Sequence, residues 1–144
     1  MKKRWSAAAA AALTLTGCSS DPPDYRPPAG ELVAGTAQVT VNGRDVGLTE
    51  AVQCNTTGWL TTITTGDTTS GVTALLSNRD RLAAESVGIN NVGGFTGSFT
   101  AGNGGTAEVT MTGLTYDISG TADGFDTDRP SFRAPGSFAL RVSC

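Results

Sequence analysis

Histidine is absent from all 144 residues, which removes Ser-His-Asp and Cys-His catalysis in one step. Lysine occurs only as Lys2 and Lys3, so the rest of the chain has no Ser-Lys pair and no amine for Schiff-base chemistry. The three cysteines include no close pair, and without histidine they make no zinc-ligand set. Aromatic residues are 6% of the chain, a thin stock for lining a large apolar cavity while also filling a core. No segment reaches the ~20 apolar residues that a membrane-spanning helix requires.

What is present begins with a leader. Lys2, Lys3 and Arg4 precede an apolar stretch from Trp5 to Leu15, dominated by Ala7–Ala12. That order and length match an export signal. The stretch closes on Leu15-Thr16-Gly17-Cys18, which reads as a bacterial lipobox. Small side chains at Thr16 and Gly17 leave the backbone open to a processing enzyme, and Cys18 offers a thiol for diacylglycerol transfer. One acyl chain holds a protein on a membrane only marginally, at about 0.8 kcal/mol per buried methylene, whereas two or three hold it firmly. The expected partner is therefore a membrane, reached through the acyl chains on Cys18, and the expected location is an exported, lipid-anchored position facing the exterior of the cell envelope.

Three segments follow: a signal peptide over 1–17, a lipidated cysteine with a Pro-rich tether over 18–34, and a globular β domain over 35–144. Cleavage before Cys18 leaves 127 residues, and Lys2, Lys3 and Arg4 leave with the leader. Seven arginines then face 13 acids. An acidic body argues against nucleic acid and against electrostatic docking on anionic headgroups. The tether carries Pro22, Pro23, Pro27 and Pro28, a composition that favours a semi-rigid extended spacer. Setting Cys18 aside leaves Cys54 and Cys144, an even pair in an exported chain, and predicts a disulfide between them.

From Gly35 onward, glycine and threonine dominate and short β-like runs alternate with turn signals. Strands are predicted around Gln38–Val41, Ala51–Cys54, Trp59–Thr64, Gly71–Leu76, Ser86–Ile89, Phe95–Thr100, Ala107–Met111, Tyr116–Thr121 and Ser137–Val142. Asn42-Gly43 is a tight-turn pair. Asn78–Glu85 reads as a helical turn or a charged loop. The expected fold is mainly β, an antiparallel sandwich or curled sheet of about eight short strands with one disulfide and at most a short helical segment.

Few other residues suggest chemistry. Asp123, Asp126 and Asp128 form a carboxylate cluster that could offer oxygens to calcium, but the spacing departs from an EF-hand loop and favours a solvated turn. Asn55-Thr56-Thr57 matches a glycosylation pattern expected to be silent in a bacterium. Thr61, Thr62, Thr64, Thr65, Thr68 and Thr69 are candidates for O-mannosylation, although strand propensity accounts for most of them. Trp59, beside alternating β residues, is expected in the core. No catalytic residue, metal site or cofactor is predicted.

Several phrases occur in one order: the lipobox, Val39-Thr40-Val41-Asn42-Gly43, Val52-Gln53-Cys54, Ser86–Gly94, Ile118–Gly124 and Val142-Ser143-Cys144. Together they resemble the mycobacterial nineteen-kilodalton lipoprotein antigen family (LpqH-type). The resemblance implies an envelope lipoprotein met by the host through Toll-like receptor 2, which would recognise the acylated amino terminus. It also implies an antigen and an adhesin role. The family's Thr-rich glycosylated tether has no counterpart here, where Ser19 and Ser20 precede a Pro-rich one. The competing expectation is a carrier of lipid or glycolipid, which needs a large apolar cavity.

Overall fold

The computed structural model describes residues 25–144, so Leu15, Thr16, Gly17 and Cys18 of the lipobox lie outside the described residues. Ten strands are present: β1 (Thr36–Val41), β2 (Arg44–Thr49), β3 (Val52–Thr57), β4 (Leu60–Gly66), β5 (Gly71–Ser77), β6 (Ala83–Val92), β7 (Phe95–Thr100), β8 (Thr106–Thr112), β9 (Thr115–Asp126) and β10 (Arg133–Ser143). No helix occurs among the described residues. Asn78–Leu82 is a loop, and the alternating pattern of β6 starts at Ala83.

All strands pair antiparallel in one sheet of order β2-β1-β10-β9-β7-β6-β5-β4-β3, with β8 added to β9. The sheet is curled into a nearly closed barrel, not split into a sandwich. Two broken strands make the curl possible. β2 pairs with β1, and after only Glu50 and Ala51 the chain continues as β3 and pairs with β4. One bent segment thus links the two ends of the sheet. On the far side, β7 pairs with β9 over Phe95–Ser98, and β8 takes over the same edge of β9 from Thr106 to Thr112. The loop between β7 and β8 is therefore a detour along one edge and not a hairpin.

Alternation sends one face of each strand inward. Val41, Ile63, Val72, Leu76, Val87, Phe95, Ile118, Leu140 and Val142 fill the interior. Branched aliphatics suit this pleated, half-buried surface. The Asn42-Gly43 turn closes β1–β2 with φ of 52° and 76°, the left-handed pair that matches strand twist. Asn42 also donates its N–H to the Ser137 carbonyl at 2.8 Å and accepts from the Ser137 N–H at 2.9 Å. Cys54 on β3 is bonded to Cys144, the residue after β10. The bond joins the strand at one end of the sheet to a strand near the other.

Candidate functional site

Strand directions gather specific features at one end of the barrel. The start of β1, the end of β10 and the start of β9 share a hydrogen-bonded row, Thr36↔Ser143↔Thr115. The β8–β9 turn at Gly113-Leu114 lies at the same end. So do the β3–β4 turn at Gly58-Trp59 and the β5–β6 loop over Asn78–Leu82, because β3 and β5 run towards this end and β4 and β6 leave it.

The chain enters the barrel here too. Pro28 and Glu31 form a turn, with the Glu31 N–H donating to the Pro28 carbonyl at 3.0 Å. The next residues lie against β8, β9 and β10. Arg141 donates through Nε to Asp117 Oδ1 at 2.7 Å and through Nη2 to the Gly30 carbonyl. The Leu32 N–H donates to Thr115 Oγ1 at 2.9 Å, and the Gly35 N–H donates to the Ser143 carbonyl at 2.8 Å. The Glu31 carboxylate occupies the space that a Cβ at Gly113 would need. The last residues of the Pro-rich stretch are thus fastened to the domain. Thr115 is fully buried, so its hydroxyl is a deliberate acceptor: a buried polar group without a partner is costly.

Trp59 departs from expectation. It is 51% exposed rather than core, because it occupies the tip of the β3–β4 turn, where the inward–outward alternation no longer applies. The Arg79 guanidinium sits over its ring at 5.1 Å from the centroid, and the Asn78 N–H donates to the Trp59 carbonyl at 2.9 Å. The threonines also sort by face. Thr65 is buried and its hydroxyl meets the Val72 N–H at 3.4 Å, which excludes it from modification. Thr62, Thr68 and Thr69 are exposed, and Thr61 and Thr64 are half-buried. Asn55, Thr56 and Thr57 lie exposed on β3.

The aspartates do not converge. Among the described residues no three His, Cys, Asp or Glu side chains form a group able to hold a metal. Asp123 and Asp126 are three apart on β9, so the pleat sends them to opposite faces, and Asp128 lies beyond the strand.

Two grooves bear on the carrier alternative. One of about 600 Å³ lies over the outside of β3 and β4, lined by Gln53, Thr64, Asp67 and Thr68 together with Ala51 and Val52. The other, about 210 Å³, opens between β2 and the β4–β5 turn and is walled by Val39, Val46, Val72 and Val92. The smaller groove is below the about 300–1,000 Å³ of small-molecule sites, and the larger one has no aromatic residue and only Val52 as a branched aliphatic in its lining.

Comparison with known proteins covers the same residues. The family described as Mycobacterium 19 kDa lipoprotein antigen matches residues 30–144, beginning where Gly30 meets Arg141. A lipoprotein of Mycobacterium indicus pranii is 37% identical over 147 aligned positions, covering all of both chains. The lipoprotein LpqH of Mycobacterium tuberculosis is 35% identical over 112 positions, covering 77% of this chain and 70% of its own. LpqH of Mycobacterium avium is likewise 35% identical, with 77% and 69% covered. With the match spanning the whole described barrel, the chain belongs to the Mycobacterium 19 kDa lipoprotein antigen family.

Proposed function

We propose that this chain is an envelope lipoprotein antigen, exported, cut before Cys18, acylated there and carried on the outer face of the membrane by that cysteine. Its function is presentation: the barrel is displayed, and the acylated amino terminus engages host Toll-like receptor 2, with an adhesin role for the exposed domain. The observation that carries this reading is the lipobox Leu15-Thr16-Gly17-Cys18 at the end of a basic, then apolar leader. Family membership supports it. So does the docking of Gly30–Leu32 on the barrel, which leaves twelve residues from Cys18 to Gly30 to separate membrane and domain.

A displaying role needs no reacting groups, and the chain's chemistry is consistent with that. Histidine is absent, lysine is confined to the leader, and Asp123 and Asp126 lie on opposite faces of β9. The acyl chains supply the membrane affinity and the barrel supplies a stable exposed surface.

The direct experiment is intact-mass spectrometry of the protein from a mycobacterial host, alongside Cys18→Ser. The expected mass is that of residues 18–144 plus two or three acyl chains, with loss of the anchor and of receptor stimulation in the variant. A Cys18→Ser protein that stays in the membrane fraction and stimulates receptor-bearing cells equally would overturn the reading.

A further inference from the structure

Four of the eight large apolar side chains exposed among the described residues stand at the end where the chain enters the barrel. Trp59 at the β3–β4 tip is 51% exposed and Leu114 at the β8–β9 tip is 75% exposed, with Val33 and Met111 exposed beside the entering chain. The opposite end is made of the polar turns at Asn42-Gly43, Asp67–Ser70, Asn91–Gly94 and Asp126–Pro130; Phe132 is exposed there, and Val46 and Leu48 of β2 are exposed along the groove beside Ser70 and Gly93, with no aromatic residue among the three but Phe132.

We propose that the end bearing Trp59 and Leu114 rests against the lipid bilayer, with both side chains entering the interfacial layer. The proposal rests on Cys18 being the lipid anchor and adds an orientation to that reading. Three observations carry it. First, the chain length sets the reach. Twelve residues from Cys18 to Gly30 span at most about 43 Å fully extended, and Gly30 and Leu32 are fastened at this end by Arg141 and Thr115. The barrel therefore hangs from the end that carries the apolar tips.

Second, the side chains suit an interface. Indole combines a large apolar body with one N–H, which is why tryptophan concentrates where lipid meets water. Arg79, stacked on Trp59 at 5.1 Å, carries its charge on a long stem able to reach headgroups while the ring enters beneath them. Third, the surface is discontinuous. Trp59 and Leu114 stand on separate turns, with Asn78, Arg79, Asp80 and Arg81 in the loop near Trp59. A second copy of the chain would need a continuous, complementary patch; a fluid lipid surface adapts to separate tips. The contact is apolar, in keeping with the acidic body.

Cleavage before Cys18 removes Trp5 and leaves Trp59 as the single tryptophan, a built-in reporter. The acylated mature protein is reconstituted into phosphatidylcholine vesicles whose chains are brominated near the headgroup, and Trp59 emission is compared with unbrominated vesicles. The expected result is loss of emission and a blue shift, both relieved by Leu114→Asp and unchanged by Phe132→Asp at the far end, with circular dichroism confirming that each variant is folded. Protein that floats with the vesicles while Trp59 emission is unaffected overturns the orientation and leaves the anchor standing. Protein that does not float overturns the anchor reading itself. A blue shift that appears without vesicles and grows with protein concentration assigns this end to a second copy, and also overturns the proposal.

Discussion

Phe95 is the residue against which the interior closes. Its ring is fully buried and lies over two glycines from different strands: a Cβ at Gly97 or at Gly136 would stand 2.6–2.8 Å from ring atoms. Phe95→Ala opens a cavity and costs about 3–5 kcal/mol. Gly136→Ala overfills the same space and costs about 1–3 kcal/mol. Urea unfolding should show lower midpoints at unchanged slope for both. Because the two changes act on one contact, the double variant should be less destabilised than their sum. Thr115→Val keeps shape but leaves the Leu32 N–H without its acceptor, for a loss of about 1 kcal/mol. Hydrogen exchange at Leu32 should accelerate while the β9–β10 amides hold. These roles are not visible in the sequence. Leu32 and Thr115 are 83 positions apart, and a glycine packed under a ring looks the same in sequence as a glycine in a turn. Trp59 is the converse case, since a large apolar residue next to an alternating run gives no sign that the run has already ended in a turn.

The elements that could be read are those where pattern and turn chemistry agree. Asn42-Gly43 marks the β1–β2 turn, and the alternating runs at Gln38–Val41 and Tyr116–Thr121 fall within β1 and β9. β2 was not legible as a strand: Arg44-Asp45-Val46-Gly47-Leu48-Thr49 is exposed almost throughout, so no buried face imposes alternation. Its pairing with β1 also shifts register between Gln38 and Thr40. Gly47, at φ 95°, absorbs that irregularity, and Asp45 holds it by accepting from the Gly47 N–H and from Gln38 Nε2, each at 2.8 Å. Asp67 holds the β4–β5 turn in the same way, accepting from the Thr69 hydroxyl and N–H and from the Ser70 N–H. The backbone bond to Gly47, then Gln38, lowers the Asp45 pKa below its ordinary 3.8; the Thr69 hydroxyl, then the backbone bonds, lowers that of Asp67. A carboxyl with a depressed folded-state pKa gives stability that is present above the unfolded value and lost as pH falls through the folded one. Stability should therefore be level above the ordinary carboxylate range and decline on acidification below 3.8. The double variant Asp45→Asn, Asp67→Asn should flatten that decline. An acid profile identical to the parent would show that these turns are not what acid disturbs.

At the scale of the whole molecule, cysteine parity was legible and strand order was not. Setting Cys18 aside leaves two cysteines, and the bond joins them. Nothing local announces that β7 and β8 share one edge of β9, or that β2 and β3 are a single bent segment, because both depend on where a sheet of this curvature meets itself. The closure explains where the disulfide lies. β3 pairs only with β4, its other edge carrying no strand, and a terminal strand of this kind is prone to fray. Cys54 ties it to Cys144, beside Ser143, whose carbonyl receives the Gly35 N–H. One covalent link thus closes the barrel next to the point where the Pro-rich stretch meets it. With 90 positions between the cysteines, the chain-entropy account assigns the bond about 4–5 kcal/mol, acting through the unfolded state. The variant Cys54→Ser, Cys144→Ser should accordingly unfold at much lower urea, with a steeper slope because its unfolded chain exposes more surface. Its native-state hydrogen exchange should rise first in β3, over Val52–Thr57, and last in the β9–β10 pair that runs through the middle of the sheet. Equal midpoints for the oxidised and the variant protein would mean that the sheet closes unaided, and that the bond records export without holding the barrel shut.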